Sequence, residues 1–255
     1  MLKIRFPAFL KSCLALGVFL LAVQPSGIMA EEMVISGAAS LTEAFTELKS
    51  IFEKQRPGLT AHVNFASSNL LLKQMQEGAP VDVFASADQA TMDKAVELKI
   101  VDLATRADFA RNGLVLIVPK GDKKPIALKD IQQFERIAVG NPDSVPAGRY
   151  ARDALVTAKL WDAVQPKLIL GASVRQTLDY VARGEVNAGF VYATDAIKQA
   201  DKVDVVMPLT GHASVLYPIA VALTGKNPKM GKAFLDYILS AEGQAVLGKY
   251  GFAKP

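Results

Sequence analysis

The chain has 255 residues, with 29 Lys and Arg against 25 Asp and Glu, two His and a single Cys. That length allows two lobes of roughly 100 residues with a self-sufficient core, and one cysteine excludes a disulfide framework or a thiolate metal cluster. No basic block interleaved with aromatics is present, which excludes the usual nucleic-acid footprint.

The first predicted element is a leader. Lys3, Arg5 and Lys11 are the only charged residues before Glu31, and an apolar run follows from Ser12 to Val23, closed by Pro25 and Gly27. A basic start, a short apolar stretch and a small residue at the cut describe a secretory signal peptide. The run is shorter than the ~20 residues of a membrane span. The expectation is therefore a signal peptide over 1–30, cleaved after Ala30, and an exported periplasmic protein. Ile28 stands where a smaller residue is more usual. Cys13 lies inside this leader, and its neighbours Lys11 and Ser12 form no lipobox. Removing the three leader cations from the 29 leaves 26 against 25 acidic residues, so the mature chain is nearly neutral.

Short apolar runs then alternate with helical stretches. Candidate strands are Met33–Gly37, Leu59–Phe65, Val81–Ser86, Leu114–Pro119, Ile137–Gly140, Lys167–Leu170, Ala188–Tyr192, Val203–Met207 and Tyr217–Leu223. After the first strand, Leu41, Ala44, Phe45, Leu48, Ile51 and Phe52 recur at helical spacing, and Arg56-Pro57-Gly58 stops the stripe. The last predicted helix starts at Asn227-Pro228, a cap followed by proline in the first turn, with Met230, Phe234, Tyr237 and Ile238 on one face. Strand–helix alternation predicts an α/β architecture with mixed, mostly parallel sheets flanked by helices.

An enzyme reading has little support. His62 falls in an alternating strand pattern and His212 in the turn Thr210-Gly-His-Ala-Ser214; no nucleophile elbow, zinc motif or phosphate loop occurs. A different theme recurs: strands run into small, hydroxyl-bearing turns that open helices. These turns are Gly37-Ala-Ala-Ser40, Phe65-Ala-Ser-Ser68, Val145-Pro-Ala147-Gly148 and Gly171-Ala-Ser-Val174. Free backbone N–H groups at a helix start favour an anion. Each turn also has a plainer explanation. Ser40 with Glu43 matches a capping box, while Ser67, Ser68 and Ser173 are each suitable N-caps. Tyr192, closing an apolar strand, suits the core equally well.

Six segments together resemble the molybdate-binding proteins of bacterial importers, members of the type II periplasmic binding proteins. They are Ala38-Ala-Ser-Leu-Thr42, Phe65-Ala-Ser-Ser68, Gly78-Ala-Pro-Val-Asp-Val-Phe-Ala-Ser-Ala-Asp88, Val145-Pro-Ala-Gly148, Val174-Arg175 and Gly189-Phe-Val-Tyr-Ala-Thr-Asp195. The resemblance implies a two-lobed fold with a ligand cleft between the lobes. It implies an N-terminal lobe of 31–111 and 217–255, a C-terminal lobe of 112–216, and chain crossings near Asn112 and Tyr217. It also implies an oxyanion, molybdate or tungstate, held by Ser40, Ser68, Ala147, Val174 and Tyr192. Ser67 is the competitor to Ser68, and Asn69 stands where a further small hydroxyl residue is often found. No cofactor, free metal ion or nucleic acid is implied. The expected partner is the membrane permease of an ABC importer, and a monomer is expected. Rival readings are a sulfate, phosphate or ferric-ion receptor of the same fold, an exported serine hydrolase using Ser40 or Ser68, and the sensing lobe of a regulator.

Overall fold

A computed structural model describes residues 1–3 and 31–255. Apart from its first three residues, the expected leader, with Cys13 and the cut after Ala30, lies outside the described residues.

In chain order, β1 (Glu31–Ala38) passes through a 3-10 turn at Ala39–Leu41 into α1 (Thr42–Lys54), β2 (Leu59–Ala66) leads into α2 (Ser68–Gln76), and β3 (Val83–Ala85) into α3 (Gln89–Glu97). Then come β4 (Ala107–Asn112), β5 (Leu114–Pro119), β6 (Ile137–Gly140), α4 (Pro146–Thr157), α5 (Trp161–Val164) and β7 (Leu168–Gly171). The remainder is α6 (Val174–Ala182), β8 (Ala188–Tyr192), α7 (Ala193–Lys198), β9 (Val203–Pro208), β10 (Val215–Val221), α8 (Pro228–Leu239) and α9 (Ala241–Lys249).

These strands form two five-stranded sheets, ordered β2-β1-β3-β10-β4 and β7-β6-β8-β5-β9. The sheets are the cores of two lobes. The chain passes from the first to the second between Asn112 and Leu114, and returns between Pro208 and Val215. β10, α8 and α9 therefore complete a lobe begun at the other end of the chain. Both sheets are mixed. β1 pairs in parallel with β2 and β3, and β6 with β7 and β8. The strands next to the crossings are antiparallel: β10 against β3 and β4, and β5 against β8 and β9. Antiparallel pairing is thus as frequent as parallel among the described strands.

Local chemistry accounts for most of these elements. Leu114–Val118 in β5 is buried at every position, as expected for a strand covered on both faces. The α1 stripe buries Ala44, Phe45, Leu48 and Phe52. Phe45 and Phe52 meet Phe234 of α8 at centroid distances of 6.0 and 5.1 Å, so the first and late helices share one aromatic cluster. Each such ring contributes roughly 1.5–3 kcal/mol by leaving water. The Asn227 side chain accepts from Met230 N–H at 3.2 Å, capping α8 with Pro228 in its first turn. Two elements were not foreseen. β4 carries Asp108 and Arg111, which mask its period, and α9 follows α8 after Ser240 alone.

Candidate functional site

Parallel register brings the candidate turns together. In the first sheet Ala38 pairs with Ala66 and Gly37 with Ala85, so β1, β2 and β3 end level. The turns that follow carry Ser40, Ser68 and Ala87. In the second sheet Gly140 pairs with Gly171, and Ile137 pairs with Ala188, which levels β6, β7 and β8 in the same way. The turns beyond β6 and β7 carry Ala147 and Val174, and Tyr192 closes β8. The carboxyl ends of strands in open α/β sheets are the usual place for a ligand.

The two sets of turns face one another. Ser40, Ser68, Ala147, Val174 and Tyr192 all line one small cavity between the lobes, together with Ala38, Ala39, Ser67, Ala87, Val145 and Pro146. Among the described residues no charged side chain is in this lining. Its empty space is about 200 Å³. Beside it a larger open groove runs along the seam between Leu70 and Leu170.

The donors are backbone and hydroxyl groups. Ser68 and Val174 are the first residues of α2 and α6, Ala147 is the second of α4, and Ser40 lies within the 3-10 turn. N–H groups in a first turn have no intrahelical acceptor. Ala147 reaches its place because Gly148 lets α4 press on the end of β6: a Cβ at Gly148 would lie 1.9 Å from the Gly140 carbonyl oxygen.

Capping explains only one of the serines. Ser173 accepts from Gln176 N–H at 3.2 Å and so caps α6. Ser40 makes no capping bond; its hydroxyl lies 2.9 Å from the Tyr217 phenol. Ser68 also makes no cap; its oxygen accepts from Ala87 N–H at 3.0 Å. Ser67, the N-cap residue of α2, makes no side-chain capping bond and lines the same cavity. The Tyr192 ring is buried and its O–H donates to Ala87 carbonyl at a long 3.5 Å. Burial, with Tyr217 alongside, pushes the Tyr192 phenol well above its ordinary pKa, so it stays protonated.

Charged groups stand behind and beside the cavity, and they join the lobes. Arg149 of α4 donates through Nε to Asp88 at 2.9 Å, and through its Nη2 group to Thr91 at 2.9 Å and Asn69 at 3.2 Å. On the other flank Arg175 of α6 donates to the carbonyls of Ala39 (3.2 Å) and Ser40 (3.3 Å) and pairs with Glu43, which also meets Lys198. The Arg175 bonds occupy the Ala39 and Ser40 carbonyls. Asp195 accepts from Tyr192 N–H at 3.2 Å and lies 3.0 Å from Arg175 Nε. Burial raises its pKa to about 6, against the opposing pull of Arg175.

His62 is exposed on β2. His212, in the segment of the second crossing, packs on Tyr150 at 5.5 Å, with its ring nitrogens 2.7 Å from the Ala213 carbonyl and 3.2 Å from the Leu209 carbonyl. Neither lines the cavity. In the sequence Asn112 and Tyr217 stand only as crossing points, and Ala87 and Arg149 show no sign of a supporting role. Their roles depend on long-range packing, and no local pattern marks them.

Two α/β lobes closing neutral donors around one small cavity define a two-lobed solute-binding protein. Residues 33–253 match the family of bacterial extracellular solute-binding proteins, and the chain belongs to that family. Among its relatives, molybdate-binding protein ModA of Escherichia coli (strain K12) is 38% identical, covering 87% of this chain and 88% of its own. Molybdate-binding protein ModA of Haemophilus influenzae is 36% identical over 87% and 90% of the two chains. The solved periplasmic molybdate-binding protein of Azotobacter vinelandii superposes with a TM-score of 0.78 over 88% of this chain and 99% of its own; at 22% identity it speaks to the fold alone.

Proposed function

We propose that this protein captures molybdate, and tungstate with it, between its lobes in the periplasm and delivers it to the membrane permease of an ABC importer. The observation that carries the reading is the convergence of Ser40, Ser68, Ala147, Val174 and Tyr192, from both lobes, on one cavity without a charged lining residue. The molybdate-binding relatives support the choice among oxyanions. Export rests on the leader-like first thirty residues.

Neutral donors are sufficient for tight binding. Two hydroxyls, one phenol and four backbone N–H groups make about seven bonds to a charged acceptor, roughly 10–20 kcal/mol gross at ~1.5–3 each. Lost freedom on association removes at least ~4 kcal/mol, and imperfect desolvation removes more. A sub-micromolar constant needs about 8 kcal/mol net. Binding, rather than catalysis, is the reading these donors support: neither serine hydroxyl is bonded to a histidine that could serve as its base.

One observation favours a ferric-ion receptor. The Tyr192 and Tyr217 rings stand 5.8 Å apart, a pairing in space that sequence distance hides. Iron needs phenolates with carboxylates. Burial raises the pKa of both phenols, and the carboxylates nearest them, Asp88 and Asp195, are engaged by Arg149 and Arg175. The anion reading stands.

The test is the thermal shift of the protein, cut after Ala30, with molybdate, tungstate, sulfate, phosphate and ferric iron. Large shifts with the first two alone are expected. A shift with iron or phosphate and none with molybdate would overturn the proposal.

A further inference from the structure

Behind Ser40 lies a short chain of hydrogen bonds whose direction the structure determines. Gly113 N–H donates to Asn112 Oδ1 at 2.9 Å. A backbone N–H only donates, so the Asn112 carbonyl oxygen faces Gly113 and its NH2 faces the other way. That NH2 donates to Thr194 Oγ1 at 2.9 Å and to the Tyr217 phenol at 3.2 Å. An amide NH2 accepts nothing. The phenol proton of Tyr217 therefore cannot go to Asn112, and among the described residues the remaining partner is Ser40 Oγ at 2.9 Å. Tyr217 is fully buried, where a proton without an acceptor would be stranded. Its ring is held by Phe109, Tyr192 and Phe252 at 6.2, 5.8 and 5.4 Å, so the phenol oxygen has little freedom to turn elsewhere. Burial also keeps the phenol protonated.

Ser40 has two states in principle. If it donated to Tyr217, it would show the cavity only lone pairs. Because it accepts from Tyr217 instead, its own proton is free for the cavity it lines. Ser68 arrives at the same state by another route, accepting from Ala87 N–H at 3.0 Å.

We propose that Asn112 and Tyr217, neither of which lines the cavity, are positioning residues that turn Ser40 into a donor and thereby set the site's preference for oxyanions that carry no proton. This rests on the proposed oxyanion function and names its selectivity device. A molybdate-like dianion accepts at all four oxygens. Hydrogen phosphate brings one O–H, which needs an acceptor, and Ser40 in its donor state meets it with a proton.

The test compares molybdate with hydrogen phosphate at mildly alkaline pH, where both are dianions and differ by one proton. Wild type, Tyr217→Phe and Asn112→Asp are titrated by calorimetry with each. Asp at 112 offers the phenol an acceptor, draws the Tyr217 proton away from Ser40, and leaves Ser40 to donate backwards. Its added charge repels both dianions alike, so the ratio of the two affinities isolates the proton's direction. The molybdate-to-phosphate ratio is expected to fall roughly tenfold or more in Asn112→Asp, with Tyr217→Phe between it and wild type. A purely structural role would lower both affinities by the same factor and leave the ratio unchanged, which overturns the relay. Asn112 is only half-buried, so its variant carries the test even where Tyr217→Phe fails to fold. Wild-type protein that ignores molybdate would instead sink the oxyanion function itself.

Discussion

The two lobes meet the same cavity with different chemistry. In the first lobe the serines are spent on the cavity: Ser40 and Ser68 accept from Tyr217 and Ala87 and leave their helix starts uncapped by side chains. In the second lobe Arg149 and Arg175 reach across to the first, while Ser173 and Asp195 serve their own backbone. Ser173 caps α6, and Asp195 accepts from Tyr192 N–H at the start of α7. Apart from the Tyr192 phenol, that lobe offers the cavity backbone at Ala147 and Val174. A hydroxyl donor can be deleted by one substitution. A backbone donor can only be moved, so its position depends on the packing beneath it.

The sharpest way to break this contrast is therefore Gly148→Ala. The new methyl would stand 1.9 Å from the Gly140 carbonyl oxygen and 2.6 Å from its carbon, both backbone atoms. Overpacking of this kind costs about 1–3 kcal/mol of stability, but its larger effect falls on the Ala147 N–H. Displacing that turn removes more than one bond to the anion at ~1.5–3 kcal/mol each, so molybdate affinity should fall roughly 100-fold or more. Calorimetry on a variant whose far-ultraviolet dichroism is native checks it. Unchanged affinity would remove the α4 turn from the site.

Next in size is a matched pair of serines. Ser68→Ala deletes a hydroxyl donor and leaves Ala87 N–H unpaired, so affinity should drop roughly 10–100-fold, alongside about 1–3 kcal/mol of stability. Ser173→Ala deletes a cap. It should lower stability by about 1 kcal/mol while affinity stays within a few-fold. If the two variants weaken molybdate equally, the distinction between a cavity serine and a capping serine fails.

That distinction was not legible in the sequence. Ser40 with Glu43, Ser67 or Ser68, and Ser173 present equally good caps, and only the third behaves as one. What separates them is Tyr217, which lies 177 residues beyond Ser40, and Ala87 in the turn after a neighbouring strand. Long-range partners leave no trace in local spacing. The architecture was far more legible, because Leu114–Pro119, Ile137–Gly140 and Ala188–Tyr192 are apolar runs with clear turn boundaries. β4 escaped notice since Asp108 and Arg111 break its pattern, and its place beside β10 at the sheet edge tolerates them. The antiparallel share escaped because strand direction near the crossings follows from where the chain returns, not from its composition.

The smallest expected effect tests whether Asp195 belongs to the second lobe's own backbone. Its folded pKa of about 6 lies above the ordinary 3.8. Between those values the native protein holds a proton that the unfolded chain has already released. Stability from this group is therefore full at the acid end and is lost as pH rises through about 6. Asp195→Asn keeps an oxygen for Tyr192 N–H but cannot ionise. In urea unfolding from about pH 4 to 7 the variant should gain on wild type as pH rises, by on the order of 1 kcal/mol, with molybdate affinity near neutrality changed only a few-fold. A stability difference that does not vary with pH would mean Asp195 is held ionised by Arg175 throughout. A large loss of affinity would mean instead that the carboxylate acts on the cavity, and the second lobe would then resemble the first.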